Sequence, residues 1–168
     1  MIKLLTLCLF LFVCSSCVFH KELPSNYKKN VGDIEFDLSI DDSSFVIGSK
    51  KVVQYYNFGK GVNFKGDNIA IDKYFRENYI SPSIPSETGY ITIRFIVNTL
   101  GKSGWFRVQE MDTNYEYKPF HKSITEQVLA LTKKLDEWIV GEIDGKKYAY
   151  YQYLTFKIQD GSIIEILP

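Results

Sequence analysis

The stretch Gly89-Tyr90-Ile91-Thr92-Ile93-Arg94-Phe95-Ile96-Val97-Asn98-Thr99-Leu100-Gly101-Lys102 decides the fold. Ile91, Ile93, Phe95 and Val97 alternate with Tyr90, Thr92, Arg94 and Ile96. One face is strongly apolar and the other mixed, which is the period-two signature of a strand lying on a core. Residues 98–102 read as a turn around Gly101, and residues 105–110 supply a partner strand, so the pair is expected to be an antiparallel hairpin. Downstream, Phe120, Ile124, Val128, Leu131, Leu135 and Trp138 recur at steps of four, four, three, four and three. That spacing predicts an amphipathic helix of about five turns with a single apolar stripe. Pro119 is tolerated at its start, and Lys133 and Lys134 suit the negative end of its dipole. Residues 148–158 predict the longest strand, with Leu154, Phe156 and Ile158 on one face and Tyr151, Tyr153 and Thr155 on the other. Asp160-Gly161 then predicts a hairpin that folds residues 163–167 back on it.

Upstream the signals are shorter. Ile34, Phe36 and Leu38 alternate with Glu35, Asp37 and Ser39 as in a half-buried strand, closed by Asp41-Asp42-Ser43-Ser44. A second β-like run covers residues 52–58 and ends at Gly59 and Gly61. Ile71, Tyr74, Phe75, Asn78 and Tyr79 then fall at helical spacing, predicting a short helix capped by Asp67 or Asn68 and stopped by Pro82 and Pro85. The expected fold class is α+β: a three-stranded antiparallel sheet with one long helix on a face, an N-terminal β-rich segment and a C-terminal hairpin.

The chain has 168 residues, with 20 Lys+Arg against 20 Asp+Glu. Duplex binding rests on a basic surplus that neutralises phosphates, and none is present, so nucleic acid is not an expected partner. The 12 Tyr and 12 Phe favour sheet, because stiff rings pack well on a pleated surface. All three cysteines, Cys8, Cys14 and Cys17, lie near the N-terminus, so no disulfide or zinc framework is expected in the body.

Met1-Ile2-Lys3 and the apolar run of residues 4–13 read as a signal peptide, too short for the roughly 20 apolar residues a spanning helix needs. Cys14-Ser15-Ser16-Cys17 resembles a bacterial lipobox, which implies cleavage before Cys17 and diacylation of its sulfur. A plain signal peptide or an uncleaved anchor are the alternatives. The division expected is signal peptide 1–16, lipidated tether 17–30, β-rich segment 31–63 and main domain 64–168. A mature chain starting at Cys17 loses only Lys3 among charged residues, leaving 19 basic and 20 acidic.

From residue 64 onward the chain resembles the C-terminal domain of TonB, the periplasmic energy transducer of Gram-negative bacteria. The resemblance is carried by Pro85, by Gly89 to Lys102 as quoted, by Trp138-Ile139-Val140-Gly141, and by Leu154-Thr155-Phe156. Phe64-Lys65-Gly66-Asp67, the short helix and Tyr79-Ile80-Ser81-Pro82 are similar to the segment preceding that domain in Bacteroidetes relatives. Val140 stands where the family has proline, and neither a motor-engaging membrane helix nor a Pro-rich rod is evident, so energy transduction is not expected. The resemblance implies a lipoprotein of the Gram-negative envelope, periplasmic or at the outer membrane. It implies an edge strand that takes up an extended peptide of an outer-membrane transporter by β-augmentation. The C-terminal hairpin is expected to cover the end of that edge nearest the turn, leaving Tyr148, Tyr150 and Gln152 as the peptide-binding edge.

Catalysis, metal and cofactors are not expected. His121 opens the long helix without a second histidine nearby, Asp41-Asp42-Ser43 lacks the ligand spacing of a calcium loop, and no serine sits in a nucleophile motif. Two other readings stay open: a structural envelope lipoprotein without peptide binding, and a glycan-binding accessory using exposed coplanar tyrosines.

Overall fold

The computed structural model describes residues 33–54 and 62–167. The elements in order are β1 (Val52–Gln54), α1 (Asp67–Asn78), β2 (Gly89–Val97), β3 (Ser103–Met111), α2 (Lys122–Lys133), β4 (Gly141–Ile143), β5 (Lys146–Gln159) and β6 (Ser162–Leu167). The α+β class is as expected. The sheet, however, is mixed and has six strands in the order β1-β5-β2-β3, with β4 and β6 also pairing β5. Its middle is β2, antiparallel to β3 from Tyr90↔Met111 to Val97↔Ser103 and to β5 from Gly89↔Ile158 to Val97↔Tyr150. A bulge between Arg94 and Ile96 sets Trp105 at φ 54.

One face of the sheet carries the main core. Ile91, Ile93, Phe95 and Val97 of β2 and Tyr150, Leu154, Phe156 and Ile158 of β5 pack against Ile124, Val128 and Leu131 of α2 and Ile71 and Phe75 of α1. Each such side chain fully buried contributes about 1.5–3 kcal/mol. Phe75 lies 4.7 Å from Phe156, and Trp138 lies 4.9 Å from Phe64 and 5.0 Å from Phe95, centroid to centroid.

α2 starts where His121 Nδ1 accepts from the Ser123 amide at 3.3 Å, so His121 is an N-cap. Glu110 of β3 anchors the same end, accepting from the Phe120 amide and the Thr125 hydroxyl. The helix is twelve residues long, shorter than its apolar series implies. Leu135 and Trp138 are still buried, because after Lys134 the chain turns down onto the sheet. There Trp138 bridges Phe64, the Lys65 amide donates to the Glu137 carbonyl, and the Trp138 indole donates to the Leu135 carbonyl at 3.0 Å.

The opposite face is covered at one end by residues 34–51. Ile34, Ile96, Ala149 and Tyr151 form a small second cluster with Phe45, Ile47, Val52 and Trp105. Phe45 lies flat on Gly104, where a Cβ would come within 2.6 Å of the ring. Asn98 Nδ2 ties the loop down through the Val46 carbonyl at 2.9 Å. The strand expected at Ile34, Phe36 and Leu38 does not form, and among the described residues of segment 31–63 only β1 is a strand. Asp37 is the cause. Its carboxylate accepts from the Ser39 amide and hydroxyl, and its carbonyl accepts from the Ile40 and Asp41 amides, which turns the backbone at residue 38. The signal peptide, Cys17, the tether and residues 55–58 of the second β-like run lie outside the described residues.

Candidate binding surface at the sheet edges

β5 has two sides. One is paired with β2 from Tyr150 to Ile158, so an added strand there would use the other. Parts of that second side are already in use, by β1 and by β6. β4 pairs residues 146–148, with Gly141↔Tyr148, and β1 runs parallel to the next three residues, Val52↔Ala149, Val53↔Tyr150 and Gln54↔Tyr151. β6 takes the turn end from Thr155↔Leu167 to Gln159↔Ser162, as the Asp160-Gly161 signal predicted.

The expected peptide edge at Tyr148, Tyr150 and Gln152 is occupied in part by the chain's own strands. Its backbone is paired with the chain's own β4 and β1 at Tyr148 and Tyr150, and these side chains point into the helix-covered face. Tyr148 is half-buried, with its ring close over Gly141. Tyr150 is fully buried, and its hydroxyl donates to the Ile139 carbonyl at 2.8 Å. Gln152 is 1% exposed, and its Nε2 folds back to cap the Tyr153 carbonyl at 3.0 Å. Its Oε1 has no partner among the described residues. A signal for β1 was present in the β-branched pair Val52-Val53. What local pattern could not give was its partner, since a parallel pairing leaves no turn between the strands.

The other outer strands differ in how they are protected. β3 is bridged at Met111 by Tyr117, and the Lys118 amide reaches the Glu110 carbonyl. Arg107 caps the Phe106 carbonyl at 2.9 Å. Among the described residues β6 pairs only with β5, and Ile164 and Leu167 are 45% and 36% exposed on it. Edge strands are ordinarily blunted; β6 carries neither Lys nor Pro within its bounds, and its devices are Glu165 and the register shift at Ile164.

Beside β6 runs a cleft of about 380 Å³, between that strand and α1. Phe75, Ile163 and Ile166 form its apolar lining, Asp72 and Arg76 its rim, and Tyr79, Ser81 and Ser162 its polar end. The polar end is internally satisfied. Tyr79 donates to the Gly161 carbonyl at 2.7 Å, and the Ser81 and Ser162 hydroxyls meet at 2.8 Å. Burial pushes the Tyr79 phenol up to about 12, so it is a neutral donor. On the rim Arg76 Nε meets Asp72 at 2.6 Å. The arrangement offers apolar side-chain space next to a backbone edge that pairs with no second strand among the described residues. His121, the one described histidine, is occupied as a helix cap, and among the described residues no group of three His, Cys, Asp or Glu is placed to hold a metal ion.

The tyrosines divide similarly. Tyr148, Tyr150 and Tyr151 are covered, whereas Tyr153 is 39% and Tyr115 66% exposed. Tyr90 and Tyr115 are coplanar, but they stack on each other at 5.3 Å and 11°. Among the described residues no helix is long and apolar enough to cross a membrane. Comparison with known proteins gives no match to any family model, curated protein or solved structure.

Proposed function

We propose that the chain is a non-catalytic lipoprotein of the Gram-negative envelope, lipid-anchored through Cys17, whose domain binds an extended segment of a partner protein by adding it to β6. The observation that carries this reading is the pairing of an outer strand, with Ile164 and Leu167 exposed on it, with a side-chain-sized cleft. Backbone bonds along β6 supply affinity, and Phe75, Ile163 and Ile166 select an apolar side chain at alternate positions. The likeness to the TonB C-terminal domain supports an envelope transporter as the source of that segment, and β5-β2-β3 with α2 above them is the three-stranded unit of that likeness. β1, β4 and β6 are additions to that unit; β1 occupies part of the expected edge, and β6 offers an outer edge of its own.

A structural envelope lipoprotein without peptide binding is the second reading, favoured by the occupation of much of the β5 edge by β1 and β6. Peptide selection from a random displayed library on the full chain separates the two. Selected peptides should alternate apolar residues and lose about tenfold or more in affinity to Ile164→Lys/Leu167→Lys, which blunts the edge at exposed positions. Equal binding to parent and variant would refute the β6 site, and failure to select any peptide would favour the structural reading.

A further inference from the structure

Residues 35–42 form a turn that holds apolar side chains outward. Leu38 is 80% exposed, Ile40 59% and Phe36 45%, and Val46 just beyond is 70% exposed. Scattered exposed hydrophobics are ordinary, but a run of them on one turn marks an interaction surface. The turn is also rigidly built. Asp41 accepts from the Asp37 amide at 2.8 Å and from both terminal nitrogens of Arg107, at 2.8 and 2.7 Å. The same guanidinium donates to the Glu35 carbonyl. The clamp fixes the backbone on both sides of Leu38 while leaving that side chain in water.

Charge specifies the kind of receiver. Residues 30–49 contain no Lys or Arg but include Asp33, Glu35, Asp37, Asp41 and Asp42. Arg107 engages Asp41, and Lys133 also acts on that carboxylate from α2, whereas Glu35, Asp37 and Asp42 are exposed. Bonds from Ser39 and Ser44 hold the Asp37 and Asp42 carboxyls below the usual carboxylate range, so both are charged at neutral pH. An anionic lipid surface would repel this fringe.

We propose that the 36–40 turn is a docking knob for a second partner protein, one whose receiving groove is apolar at its centre and rimmed by Lys or Arg. This surface is separate from β6. Preorganisation by Arg107 and Asp41 lowers the ordering cost of binding, and the acidic fringe steers and orients the encounter.

The test uses the full chain and an amphipathic Leu/Lys helical peptide as a surrogate groove, alongside a Leu/Gln analogue and vesicles of zwitterionic or anionic phospholipid. Binding of the Leu/Lys peptide should weaken about tenfold in Leu38→Ser/Ile40→Ser and fall with added salt. It should be unchanged in Leu100→Ser, at a site 74% exposed elsewhere, and in Ile164→Lys/Leu167→Lys. Because Leu38 and Ile40 are exposed, the variant should melt with the parent, so loss of binding is not loss of fold. Equal peptide binding by Leu38→Ser/Ile40→Ser and parent would overturn the proposal. So would vesicle binding that depends on Leu38 and Ile40 while peptide binding does not, which would make the turn a lipid contact.

Discussion

Replacing Asp41 by Ala should loosen the whole N-terminal strap, and the size of the effect follows from its geometry. The Asp41 side chain is 1% exposed and that of Arg107 26%, and they are joined by two bonds in a fork. Removing one partner of a fully buried pair costs about 3–5 kcal/mol. Arg107 keeps the Glu35 and Phe106 carbonyls and some contact with water, which reduces the expected loss to about 2 kcal/mol. For a domain of this size that is roughly 4–8 °C in Tm. A cycle of Asp41→Ala, Arg107→Ala and the double variant, followed by urea melts, should give a coupling of at least ~1 kcal/mol. Near-UV circular dichroism should change too, because Phe36 and Phe45 of the strap contact the Trp105 ring. The pH dependence has a definite sign. Hydrogen bonds from Arg107 hold the Asp41 carboxyl below its ordinary 3.8. The pair's contribution is therefore complete above that ordinary value and is lost as pH falls through the lower folded value. Parent and Asp41→Ala should converge in strong acid. A coupling under ~0.5 kcal/mol, or a stability gap unchanged in strong acid, would refute the clamp.

Other consequences are more local. Phe75→Ala should cost about 3–5 kcal/mol in denaturant melts, because Phe75 is 1% exposed between α1 and Phe156 and lines the β6 cleft. Gly101→Val should destabilise by about 2 kcal/mol or more, since Gly101 sits at φ 76 and a Cβ would approach the Trp138 carbonyl oxygen to 2.7 Å. Ultraviolet titration of the parent against Tyr79→Phe should show one phenol ionising at about 12. Because that folded value lies above the ordinary 10.0, the stabilisation linked to the neutral phenol is intact below pH 10 and lost as pH rises towards 12.

How far the sequence could be read depended on whether a feature was local. The β2-β3 and β5-β6 hairpins were legible because each pairs two alternating runs across a short Gly-containing turn. The apolar stripe of α2 was legible, but its end was not. Leu135 and Trp138 continue the spacing although they lie beyond the helix, since burial against Phe64 and Phe95 demands apolar residues whether or not the backbone is helical. The alternation at Ile34, Phe36 and Leu38 misled for the opposite reason. Asp37 and Ser39 capture the backbone in a turn, leaving Ile34 buried and Leu38 exposed. Most consequential was Val53↔Tyr150, which joins residues far apart in sequence and occupies part of the edge that the period of β5 leaves open.

Amide hydrogen exchange on the full chain tests the central claim most directly, because it reports which sheet edge is closed and which is open. Slow exchange is expected at residues 150 and 151, where β5 is paired on both sides, and fast exchange at the outward amides of β6 that slows when an alternating apolar peptide is added. Fast exchange at 150 and 151 with peptide protection there, and none along β6, would contradict the β6 site.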